Sequence, residues 1–287
     1  MLHKYRVLKA LKGNAKRQTR MLLGMQARPK PPAVLSQPME QIVARHSMIC
    51  RNLTNFWPPE MKIEGASVCE IGPGDCLAAA AFFIGKGARH VDLVDTLPPI
   101  INDRQIQVLA ALKSAGFPVA TDVISTGKTP LLNENLVTYH DLLMEEYRAA
   151  KSYDFVVSHH VMEHVEDLDK AFKSAYWALR PGGWTLHFVD LGGHGEFEDP
   201  VPPLDFQTYP DWLFEWMYPA NFRNTRRFVE DYRRAAFGAG FVDIHIQPTR
   251  LADKSYVEAI RKKLRPAARH LPFEQLGVIE FVLNAAK

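Results

Sequence analysis

The sequence predicts an open, doubly wound and mostly parallel α/β sheet, with helices ahead of it and an aromatic-rich insertion near its end. Three observations carry that expectation. From Ala66 onward, short apolar strands alternate with helical stretches, the spacing that builds a parallel sheet covered on both faces. The first of these strands runs into Gly72-Pro73-Gly74-Asp75, and the second stops on an acid, Asp95. No internal repeat or low-complexity tract interrupts the pattern.

The elements follow in order. Residues 1–26 alternate basic side chains with Leu2, Tyr5, Leu8, Leu11, Met21, Leu22 and Leu23, the composition of an amphipathic basic helix broken near Gly13-Asn14. Arg28-Pro29-Lys30-Pro31-Pro32 forces an extended linker, because each proline disfavours helix in the residue before it. A helix is expected over Met39–Asn52, ended by Trp57-Pro58-Pro59. Strands are expected at Ser67–Ile71 and His90–Val94, with helices at about Leu77–Lys86 and Ile101–Ala115. The third strand is either Val119–Ile124 or Asn135–Tyr139, the latter preferred. Asp154–Ser158 is the fourth, followed by a helix at about Glu166–Leu179 that Arg180-Pro181-Gly182-Gly183 stops. Trp184–Val189 is the fifth. Beyond Leu191 come the insertion, about residues 192–225, a helix at Thr225–Ala239, a strand at Phe241–Ile246, a basic helical insert near Ser255–Arg265 and a last strand at Val278–Leu283. That makes seven strands.

Composition bounds the rest. A chain of 287 residues with 47% hydrophobic and 23% charged residues can bury one large core. No apolar run is long enough to span a membrane, and the basic N-terminus lacks the apolar core of a secretory signal. The three cysteines, Cys50, Cys69 and Cys76, have no metal-type spacing, which favours buried thiols in a reducing, cytoplasmic setting. The net charge of +3 is uneven: residues 1–39 hold nine basic residues and no acid, which leaves 26 basic against 32 acidic for the remainder. Basicity therefore belongs to an N-terminal arm (residues 1–38) and not to the body (39–287), which argues against a nucleic-acid-binding core. Such an arm fits peripheral contact of residues 1–26 with an anionic membrane, a lid over the site, or a solvated tail.

A strand that ends in Gly-x-Gly lets backbone approach a ligand, and the next helix offers unpaired N–H groups. The same glycines also mark plain tight turns. Asp95 lies 21 residues after Gly74, where a nucleotide-binding fold places a carboxylate on ribose hydroxyls; the alternative is a solvated strand-end acid. The fourth strand ends in Ser158-His159-His160.

Taken together, Glu70-Ile71-Gly72-Pro73-Gly74-Asp75, Val91–Asp95, Tyr153–His164 and Leu179-Arg180-Pro181-Gly182-Gly183 resemble, in order, the motifs of class I S-adenosylmethionine-dependent methyltransferases. The resemblance spans about residues 64–190 and weakens through 247. It implies the Rossmann-like methyltransferase fold and S-adenosylmethionine as cofactor. It also implies that Gly72 and Gly74 pass under the methionine portion, that Glu70 orients that region and that Asp95 holds the ribose. Asp141 falls near the position that contacts the adenine amine, and Ser158 and His159 would line the methionine end. Cys76 replaces the third glycine, which argues against a dinucleotide dehydrogenase.

His160, Glu163 and His164 lie at i, i+3 and i+4, so a helical turn would place them on one face. Related metal-dependent O-methyltransferases carry Glu-x-x-Glu-His here, and His160 replaces the first Glu. The trio is therefore the candidate catalytic group, with three open roles: a divalent metal site, a general base on one histidine, or plain structure. His159, His160, His164 and His194 all fall at or just after strand ends, which favours O-methylation of a small-molecule, sugar or lipid-linked acceptor. Asn224, Arg226 and Arg227 are candidates for acceptor contact or for a solvated helix face. The rival functions are an inactive methyltransferase-fold binding module and a nicotinamide-dependent oxidoreductase.

Overall fold

The computed structural model describes residues 34–125, 129–148, 152–193, 202–217 and 224–287. Seven strands form one sheet: β1 (Ser67–Ile71), β2 (His90–Asp95), β3 (Val137–Asp141), β4 (Tyr153–His159), β5 (Leu179–Asp190), β6 (Val242–Leu251) and β7 (Val278–Ala286). Their order is β3-β2-β1-β4-β5-β7-β6. β3 through β5 pair in parallel, while β7 runs antiparallel to both β5 and β6. The direction of winding reverses between β1 and β4, so the crevice beyond their carboxyl ends is where an open sheet of this kind receives a ligand.

The alternation of side chains along each strand divides the core into two layers. Val68, Val91, Leu93, Phe155, Val157 and Phe188 pack beneath α1 (Met39–Asn55), α2 (Ala78–Gly85) and α3 (Asp103–Ser114). Cys69, Ile71, Val156 and Val189 face the opposite way, under α4 (Leu168–Ala178) and an α6 helix at Val229–Ala239. α2 reads AAAAFFIG with no polar face. It is covered by the sheet on one side and by α1 and α3 on the others, and its alanines allow that close approach. α3 begins where Asn102 accepts the Gln105 N–H at 3.0 Å, and it carries Asp103 in its first turn and Lys113 in its last, both complementary to the helix dipole. Gly240, at φ +105°, ends α6. A third cluster, including Leu204, Phe228, Val257 and Leu276, joins the loop ahead of α5 (Asp211–Met217) and the residue before α6 to α7 (Lys254–Ile260) beside β7.

Three expectations change. The third sheet strand is Val137–Asp141, shifted from Asn135–Tyr139; the rejected segment forms a 3-10 turn at Thr121–Val123 and a short antiparallel pairing of Ile124–Ser125 with Leu131–Leu132. Arg180–Gly183 does not separate helix from strand as a free turn. β5 begins at Leu179, pairs with Tyr153 and is bent at Gly182, φ +74°. The strand expected at Phe241–Ile246 extends to Leu251, because the first half of β7, from Val278 to Val282, offers Gln247–Leu251 an antiparallel partner. No described helix is long and apolar enough to cross a membrane. Residues 1–33, which hold all nine basic residues of the N-terminal arm, lie outside the described residues.

Candidate active site

Gly72 and Gly74 both adopt left-handed backbone, φ +65° and +68°, but for different reasons. The Gly72 N–H donates to the Val94 carbonyl at 2.9 Å, and a Cβ there would stand 2.4 Å from Val161 Cγ2. Gly72 is thus packed against the loop that follows β4. A Cβ on Gly74 would meet nothing within 4 Å, so that glycine borders open space at the switch point. Asp75 turns away from it and accepts the Leu35 N–H at 3.0 Å. Cys76, in the third glycine's place, is buried, and burial pushes its thiol up.

Two acids flank this loop. Glu70 is 6% exposed. Burial, followed by the charge of Asp95, raises its carboxyl to about 8, against an N–H donated by Ala80 at the start of α2. Its Oε2 is buried and has no hydrogen-bond partner. Asp95 ends β2 beside Asp141 of β3, its register partner. Burial raises the Asp95 carboxyl, opposed by the N–H groups of Leu97, Gly74 and Thr96, while the charge of Asp141 adds to the rise. Asp141 itself is exposed. The glycine loop, Glu70, Asp95 and Asp141 therefore meet at one edge of the sheet. A left-handed glycine bordering open space and an orphaned buried carboxylate oxygen are what the nucleoside and ammonium ends of S-adenosylmethionine require, so the residues present fit that cofactor.

The end of β4 divides its side chains between the two layers. Ser158 points into the core, where its Oγ meets His187 Nδ1 at 2.8 Å and His187 Nε2 meets Thr185 Oγ1 at 2.6 Å. Its hydroxyl is engaged there, and burial drives His187 down to about 3. His159 lies on the α1 side, stacked on Phe188 with ring centroids 5.0 Å apart. Asn52 Nδ2 of α1 stands 3.3 Å from its Nε2, and burial, with the nearby charges of His160, Arg45 and His46, holds it well below the usual histidine range. His160 takes left-handed backbone at φ +56°, with its ring 4.2 Å from that of His159. A bulky residue in that region is a local strain that clusters at functional sites.

That left-handed residue also prevents His160, Glu163 and His164 from sharing a helical face. Residues 162–164 form a turn and not a helix. Glu163 is fully buried on the α6 side, where burial first and the charges of Asp190 and Glu280 further raise its carboxyl well above the usual range. Only His160 of the three stands against His159. Among the described residues no group of three or more His, Cys, Asp or Glu is arranged to hold a metal ion.

Asn224 and Arg226 are buried and Arg227 is half-buried, and all three hydrogen-bond to the protein itself. Asn224 Nδ2 donates to the carbonyls of Asp190 and Gly192 at 3.2 and 3.1 Å. Arg226, buried and at φ +60°, binds Asp211 Oδ1 and the Tyr209 carbonyl and lies 4.5 Å over the Phe214 ring. Arg227 donates to the carbonyls of Val165 and Glu166. Asn224 thus fastens the insertion to the end of β5, Arg226 ties its residues 209–214 together, and Arg227 holds the loop after β4. Within it Phe206, Tyr209 and Phe214 are buried, whereas Trp212 is 71% exposed. His194, Phe197, Tyr218 and Phe222 lie outside the described residues.

Sequence reasoning missed the contribution of α1. Ile42, His46, Cys50 and Leu53 form its buried stripe. Cys50 lies close enough to Glu70 to feel its charge, and burial, with Arg45 beside it, lowers His46 to about 4. The one signal available was a histidine at helical spacing within an apolar stripe.

A family model described as a methyltransferase domain matches residues 43–246. Among solved structures, the chain is similar to an S-adenosylmethionine-dependent methyltransferase from Mesorhizobium loti, at 16% identity, covering 88% of this chain and all of that one, with a TM-score of 0.47. It is also similar to phosphoethanolamine N-methyltransferase 2 from Haemonchus contortus in complex with S-adenosyl-L-methionine, at 18% identity, covering 85% of this chain and 52% of that one, TM-score 0.47. No curated protein matches significantly.

Proposed function

The chain belongs to the methyltransferase-domain family that its residues 43–246 match, a class I S-adenosylmethionine-dependent methyltransferase. On that premise we propose that it methylates a hydroxyl of a small-molecule, sugar or lipid-linked acceptor in the cytoplasm. The observation that carries the cofactor assignment is the pairing of open Gly74 with Asp95 on one side and the unpartnered Glu70 oxygen on the other. Bound there, the cofactor supplies a methyl group on a sulfonium, ready for in-line displacement. Asp95 holds the ribose hydroxyls, Asp141 reaches the adenine amine, and Glu70 meets the ammonium.

A hydroxyl must lose its proton as the new bond forms. Of the three candidates after β4, His160 takes that role, since it stands against His159 at the sheet edge while Glu163 is buried on the far face. His164 supports the turn. Burial holds His159 well below the usual histidine range and Asn52 Nδ2 stands 3.3 Å from its ring nitrogen, and it lines the methionine end of the site. The insertion, residues 192–225, serves as the acceptor lid, held by Arg226 and Asn224. The three free buried thiols fit a reducing compartment.

Calorimetry with S-adenosylhomocysteine and with NAD tests the assignment. Saturable binding of the first and none of the second is the expected result. Binding of NAD alone would replace this reading with an oxidoreductase, and binding of neither would leave a non-enzymatic module.

A further inference from the structure

Two buried polar groups, one at the end of β1 and one beside the end of β4, lack hydrogen-bond partners. One is Glu70 Oε2 at the end of β1. The other is His46 on α1, 5% exposed, with neither Nδ1 nor Nε2 bonded to any protein atom. A buried imidazole carries at least one N–H to place, and such groups in native proteins are almost always satisfied. The neighbouring buried histidines follow that rule: His187 meets Ser158 and Thr185, and His159 meets Asn52. His46 is the exception.

Its position is defined by its neighbours. Cys50, one turn further along α1, lies beside Glu70, and Cys76 lies beside both. Arg45 and His46 both act on His159 at the end of β4. The inner face of α1 therefore roofs the crevice between β1 and β4. The polar groups there are sorted. Arg45, His46, His159 and His160 stand on the roof and β4 side, while Glu70 and Asp95 stand on the β1 and β2 side. A zwitterion laid between them would put its cation on the acids and its anion on the imidazoles.

We propose that His46 is a cofactor-binding residue, donating a ring N–H to the carboxylate at the amino-acid end of the cofactor while Glu70 receives the ammonium of the same group. The proposal rests on the S-adenosylmethionine reading above and adds α1 to the binding site. It makes the roof a sensor of the amino-acid end, so a nucleoside lacking that end gains nothing from His46.

The test compares two probes, S-adenosylhomocysteine and 5′-methylthioadenosine, which keeps the nucleoside and thioether but lacks the amino-acid end. Calorimetry is done on the full chain and on His46→Leu and His46→Gln. His46→Leu is expected to weaken S-adenosylhomocysteine by about tenfold or more and to leave 5′-methylthioadenosine within about twofold. His46→Gln, which keeps a donor of similar reach, is expected to recover most of the loss and guards against a simple packing defect. If S-adenosylhomocysteine binds the leucine variant as well as the unaltered protein, His46 is no cofactor ligand, although the cofactor reading stands. Equal weakening of both probes in both variants would make His46 a support of the roof and overturn the pairing. Failure of the unaltered protein to bind either probe would overturn the cofactor reading itself, and this proposal with it.

Discussion

Glu70→Gln separates what the site costs the fold from what it does for the ligand. In the folded chain burial and Asp95 lift the Glu70 carboxyl from 4.5 to about 8. Between those values the unfolded chain gives up the proton and the folded chain keeps it. The folded state then binds more protons, so stability falls as pH rises through that window. At about 1.4 kcal/mol per pH unit, the displacement bounds the loss at about 5 kcal/mol. Dielectric relaxation around a buried charge reduces this, and we expect about 2–4 kcal/mol. Urea denaturation of both proteins at pH 5 and pH 8 reads it as a double difference. Glu163 is shifted in the same direction but is common to both proteins and cancels, as does His46. The unaltered protein should lose about 2–4 kcal/mol more than the glutamine variant between the two pH values. An identical pH dependence in the two would refute the placement of Glu70 as a protonated buried acid.

Other outcomes follow from the same geometry. S-Adenosylhomocysteine binding at pH 7.5 should release a proton from Glu70 as the ammonium arrives, read by calorimetry in buffers of different ionisation enthalpy, and Glu70→Gln should release none. Asp95→Ala should weaken that ligand by about 1.5–3 kcal/mol through loss of charge-assisted bonds to the ribose, and unchanged affinity would remove Asp95 from the site. Gly72→Ala should lower stability by about 2–4 kcal/mol, since φ is +65° and the new Cβ would stand 2.4 Å from Val161 Cγ2; adding Val161→Ala should return only the steric part. His160→Gly should be more stable than His160→Val by about 1–2 kcal/mol in denaturation midpoints, because a β-branched residue tolerates φ +56° poorly.

The parts of this account legible in the sequence are those set by local chemistry. Ser67–Ile71, buried throughout, and His90–Asp95 read as strands because their apolar runs end at a glycine turn and an acid. Asp95 beside Gly74 followed from spacing alone. The third strand was ambiguous because Val119–Ile124 and Asn135–Tyr139 have similar composition, and only pairing with β2, Val91 to Val137, decides between them. Ser158 looked like a site residue because it ends a strand, yet the alternation of β4 turns it to His187, 29 residues away. Spacing places Glu163 and His160 on one helical face, and the left-handed backbone at His160 separates them. His46 was illegible for a different reason. Its importance lies in bonds it does not make, and those emerge only when α1 is laid across the end of β4, more than a hundred residues later in the chain.

Diffraction from crystals grown with S-adenosylhomocysteine tests the central claim most directly. The account predicts ribose hydroxyls within hydrogen-bond distance of the Asp95 carboxylate, the nucleoside over Gly74, and the ammonium within hydrogen-bond distance of Glu70. A ligand seated elsewhere, or one bound with its ribose remote from Asp95 and its amino-acid end remote from Glu70, would contradict it.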